Sequence, residues 1–95
     1  MQVMANDKNM RYRPPAERRD PLVQRFFIAL GGNGRPAKAG QVKTVTSAGD
    51  YVCAVWLGTS VAHAITVSPE TLRSEEWLLF QREGEWRSAY AKLSE

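Results

Sequence analysis

The chain has 95 residues, 43% hydrophobic and 24% charged, with one cysteine and a net charge of +3. That length holds a single domain with a modest core. No apolar run nears the ~18 residues needed to span a bilayer, Met1–Met10 lacks the basic-then-apolar pattern of a secretory leader, and the lone Cys53 excludes an internal disulfide framework. The expectation is a cytoplasmic protein, in the host's cytoplasm if the protein is viral.

The charge is unevenly spread. Residues 1–43 carry nine Lys/Arg against three Asp/Glu, whereas residues 44–95 carry four against seven. Such a front-loaded basic charge seeks phosphates or an acidic protein surface, or attracts the acidic half of its own chain. Residues 1–19 read as a basic flexible arm: they are polar, hold Pro14-Pro15 and show no apolar periodicity. Residues 20–95 read as one small α+β domain.

Asp20-Pro21 looks like a helix start, with aspartate capping and proline at the first helical position. Leu22, Phe26, Ala29 and Leu30 follow at helical spacing, and Gly31-Gly32 would stop the helix. The run F-F-I-A-L also suits a short strand. Gly31 to Gly40 reads as a loop with Arg35 and Lys38 exposed. It is not a phosphate loop, because it follows the predicted helix, precedes a strand and lacks the terminal Lys-Ser/Thr.

Gln41 to Ser47 alternates as a strand should, and Ala48-Gly49-Asp50 supplies a turn. The central feature comes next. Tyr51–Val67 is rich in valine, isoleucine and aromatics and is broken by Leu57-Gly58-Thr59-Ser60, which predicts a hairpin of Tyr51–Leu57 with Ser60–Val67 in the middle of the sheet. Ser68-Pro69-Glu70 is a further helix start, with one or two turns expected over Thr71–Glu76. Trp77 to Tyr90 is read as a second hairpin turning at Arg82-Glu83-Gly84-Glu85. The alternative is a long helix with Leu72, Leu79, Trp86 and Leu93 on one stripe, in which an interior Gly84 would cost ~1 kcal/mol. The architecture expected is one amphipathic helix packed on a small twisted antiparallel sheet of three to five strands.

No catalytic group, metal site or cofactor is expected. One histidine and one cysteine are too few for a protein-only zinc site with soft ligands. A two- or four-residue hairpin loop would set Cys53 opposite Ala64, and a three-residue loop would shift the register by one, which in one direction sets it opposite His63. Either way Cys53 reads as core filler in apolar surroundings, which disfavour a thiolate, and His63 as a buried or interface residue. Glu75, Glu76, Glu83 and Glu85 flank the apolar tail and read as solvated.

Aromatics interleaved with basic residues supply the candidate partner-binding set: Arg11, Tyr12, Arg13, Arg18, Arg19, Trp86, Arg87 and Tyr90. Of Trp77, Trp86 and Tyr90, at least one is expected to stay exposed, Trp86 foremost, as an arginine-flanked recognition residue.

Val61–Pro69 (V-A-H-A-I-T-V-S-P) resembles the histidine-containing segment of the Hfq family of Sm-like RNA chaperones, and Asp20-Pro21 and Tyr51-Val52 resemble two further pieces of that family. The resemblance covers about ten scattered residues. It departs where Ala62 and Asp50 stand for the family's lysine and glutamine. It implies that His63 and Tyr51 line a uridine site and that Arg18 and Arg19 form a basic rim.

The function expected is that of a non-enzymatic small binding module that docks on a larger protein or nucleoprotein assembly. Accessory, inhibitor or structural proteins of phages and mobile elements are analogous in build. The alternative is an RNA- or DNA-binding module using the arm and an exposed sheet face. No membrane partner is expected; self-association into a homo-oligomer is compatible with the sequence.

Overall fold

A computed structural model describes residues 20–95. Five strands form one sheet: β1 (Phe26–Leu30), β2 (Pro36–Val45), β3 (Tyr51–Leu57), β4 (His63–Val67) and β5 (Trp77–Phe80). Their order is β4-β3-β2-β1-β5, and every neighbouring pair is antiparallel. A single turn of helix, α1 (Pro69–Leu72), leads from β4 towards β5, and helix α2 (Glu83–Leu93) ends the chain. The α+β class is as expected. The helix that packs on the sheet, however, is the last element and not the first.

The predicted helix over residues 21–30 is a turn followed by β1. Asp20 does accept the Leu22 amide at Oδ1 (2.9 Å), and Val23 N–H reaches the Asp20 carbonyl. Gln24 then adopts φ 79°, a left-handed conformation that ends the turn and sets the chain extended. Strand β1, Phe26–Leu30, then lies between β2 and β5, with Phe27, Ile28 and Ala29 buried. A strand covered on both faces shows no period-two pattern, so its apolar run passes equally for a helix stripe.

The expected loop from Gly31 to Gly40 is shorter, because β2 begins at Pro36. Gly40 is the reason the strand tolerates glycine: a Cβ there would stand 1.7 Å from the Ala54 carbonyl oxygen of β3. Only glycine permits that approach, at a point where the β2–β3 register also shifts. The Ala48-Gly49-Asp50 turn forms as expected, with Gly49 at φ 93° and Thr46 and Asp50 bonded across it.

The β3–β4 hairpin pairs Tyr51 with Val67 and Val55 with His63. β3 lies inside the sheet; β4 is an edge strand, not a central one. Ser68 caps α1 as expected, its hydroxyl accepting the Thr71 amide (3.2 Å). In the tail the expected strand is present as β5, but the expected turn at 82–85 is the first turn of α2. Gly84 sits there in solvent, near the helix start, where it carries little of the interior penalty.

Two cores result, one on each side of the sheet. The inner one gathers Phe27, Ala29, Val42, Tyr51, Cys53 and Val55 under Leu72 of α1, with Trp77 stacked on Phe27 (4.7 Å). The outer one seats Trp86 of α2 on Ile28 and Ala39, with Phe26, Trp56, Leu78, Phe80 and Tyr90 around it. Each large apolar side chain removed from water in these cores contributes about 1.5–3 kcal/mol before entropy is counted.

Candidate docking face

Arg11, Tyr12, Arg13, Arg18 and Arg19 lie outside the described residues. The C-terminal members of the predicted set are brought close together, but not as a recognition surface. Trp86 is fully buried, which corrects the expectation of an exposed ring. Its indole Nε1–H donates to the Phe27 carbonyl (2.8 Å), and its ring lies 5.0 Å from that of Phe26 and 5.9 Å from that of Trp56. Arg87 covers the same indole from outside, 5.2 Å from the ring centre, while its Nε donates to Glu83 one turn back (3.0 Å). Tyr90 is half-buried in the same cluster, and so is Trp77 in the other. These aromatics are the mortar of the fold. A 95-residue chain can pack all three against a core, Trp86 fully and the other two in part, because the sheet makes a core on each of its faces.

Cys53 and His63 do not form a pair. The register sets Cys53 opposite Ile65 and His63 opposite Val55, one step from the Ala64 pairing and in the direction away from His63. Cys53 is fully buried, and burial pushes its thiol up to about 11. His63 is exposed at the start of β4, which corrects the buried half of the expectation, and its Nδ1–H donates to the Val61 carbonyl (3.0 Å). Glu75, Glu76, Glu83 and Glu85 are all exposed. Among the described residues, no three His, Cys, Asp or Glu side chains converge as metal ligands, and no helix is long and apolar enough to cross a membrane.

The site implied by the Sm-like resemblance is not assembled. Tyr51 lies at the opposite end of the hairpin from His63 and is almost wholly buried. Its hydroxyl donates to Asp20 Oδ2 (2.7 Å), tying the chain's entry to β3; burial first, and then the Asp20 bond, raise its pKa. Compared with known families, with curated proteins and with solved structures, the chain matches none.

Among the described residues, half of one sheet face has no helix over it. The row Phe26–Gln41–Ala54–Ala64 runs across β1, β2, β3 and β4 on the side that carries α2. The helix packs mainly on β1, β5 and β2, and reaches β3 through the edge contact of Trp86 with Trp56. Beyond it lie Gln41, Val52, Ala54, Ala64 and Thr66, half-buried or exposed, with no charge among them. Gln41 is fixed there by its side-chain amide, which donates to the Gln24 carbonyl (2.9 Å), while Lys43 donates to Gln41 Oε1 (3.2 Å). Sequence reasoning missed these residues. The signal was present as small, uncharged side chains at alternate positions of both hairpin strands, but it carries no chemistry that marks it as a site.

Proposed function

We propose that the protein is a non-enzymatic binding module that docks on a larger protein assembly through the bare half of its sheet, with the basic segment 1–19 as a second contact. One observation carries this reading: among the described residues α2 covers one side of the sheet face, and Val52, Ala54, Ala64 and Thr66 lie beyond it as a run of uncharged side chains. Docking surfaces of this kind are depleted in charge at their centre and ringed by polar groups. Gln41 and Lys43 supply such a rim.

Charge argues against nucleic acid on this face. Residues 20–95 carry eight Lys/Arg and eight Asp/Glu, so the whole net charge of +3 resides in residues 1–19. A neutral fold offers phosphates no field to follow. Contact with nucleic acid would therefore rest on Arg11, Arg13, Arg18 and Arg19.

The test is capture of partners from the protein's own cells by the wild type and by Val52→Lys, each with and without nuclease. Val52→Lys sets a charge in the middle of the bare face and leaves the edge strand intact. A stoichiometric protein partner that survives nuclease and is lost with Val52→Lys supports the reading. Recovery that vanishes with nuclease, or that Val52→Lys leaves unchanged, refutes it.

A further inference from the structure

An antiparallel sheet has two edges, each a row of unpaired backbone donors and acceptors that natural proteins usually guard with charge, proline or short length. Here the two edges differ. β5 has four residues and is bracketed by the exposed Glu75, Glu76 and Arg82. β4 (H-A-I-T-V) contains no charge and no proline, and among the described residues it pairs with β3 alone. Just before it stands Val61, 68% exposed.

We propose that β4 pairs antiparallel with β4 of a second copy of this chain, about a two-fold axis through Ile65. Three observations select that occupant. The strand is uncharged, so it can meet its own copy without like-charge contact. Centring on Ile65 uses all five residues: Ile65 meets the partner's Ile65, Ala64 meets the partner's Thr66, and His63 meets the partner's Val67. This register also keeps core-facing residues beside core-facing ones, whereas a one-residue slip would set Ile65 beside the outer-face residues. The half-exposed Ile65 gains an apolar neighbour, and the guarded β5 edge leaves the assembly closed at two. The pairing goes beyond the docking reading: it joins two bare half-faces into one surface within a ten-stranded sheet.

Sedimentation equilibrium of the full chain, from low micromolar to near-millimolar concentration, tests this. The wild type is expected to pass from monomer to dimer and stop there. A64K/T66K places lysine opposite lysine twice across the axis and is expected to weaken dimerisation about tenfold or more. A64E/T66E should do the same, and mixing the two variants should restore a dimer. Both positions are exposed, so melting should be unchanged; if it is not, the single variants Thr66→Lys and Ala64→Glu, which set lysine opposite glutamate once when mixed, should form a mixed dimer in preference to either homodimer. A wild type that remains monomeric, assembly beyond two copies, or a lysine variant that dimerises as well as wild type overturns the proposal. None of these outcomes alters what Val52→Lys reports about docking.

Discussion

Truncating Trp86 is the sharpest perturbation of the fold. The ring is fully buried between α2 and the sheet, and it is the largest of the fully buried side chains. Trp86→Ala removes its burial, its contacts with Phe26 and Trp56 and the Nε1 bond to Phe27. Large aromatic-to-alanine changes in cores cost about 3–5 kcal/mol, against a total of about 5–15 kcal/mol for a domain. The expected result in urea unfolding is a loss in that range, and in thermal melting a fall of about 15–30 °C. Trp86→Phe keeps most of the ring and loses the hydrogen bond, so it should cost less than half as much. Arg87→Ala, which removes only an exposed pair and the lid on the indole, should cost under about 1 kcal/mol. If Trp86→Ala melts within a few degrees of wild type, α2 does not hold the sheet as described and the outer core is wrong.

Gly40→Ala drives a methyl into the Ala54 carbonyl and should cost about 3 kcal/mol or more or abolish folding, read by the same unfolding curves. Tyr51→Phe removes the bond to Asp20 and should lower stability by about 1–2 kcal/mol. The Cys53 thiol is raised from its ordinary value near 9 to about 11 by burial, so its neutral form is favoured in the folded state. Its contribution is full below pH ~9 and is lost as pH rises towards ~11, because the unfolded chain ionises first. Denaturation followed across that window should show falling stability, less steeply in Cys53→Ala, and a thiol reagent at pH ~8 should label the native protein only at its opening rate.

Much of the fold was legible in the sequence, for physical reasons that differ by segment. The hairpin of β3 and β4 announces itself through β-branched residues around a glycine, and Ser68-Pro69 through the capping geometry it goes on to adopt. β1 was hidden because burial on both faces erases alternation, and because Gln24 takes a positive φ that no residue type signals. α2 was obscured by Gly84, read as interior when it belongs to the first turn. The spacing of Trp86, Tyr90 and Leu93 was the better guide. The aromatic-arginine pair at 86–87 misled because one-dimensional sequence does not distinguish a cation covering a buried ring from one displaying an exposed ring. The bare face was illegible because small neutral side chains acquire meaning only once the reach of the covering helix is known.

The place where a partner docks is tested most directly by backbone hydrogen exchange of the captured complex against the free chain. Docking on the bare half-face should slow exchange in residues 51–57 and 63–67 while leaving residues 83–93 of α2 unchanged. Protection confined to α2 around Arg87 and Tyr90, with the hairpin exchanging as in the free protein, would contradict the account.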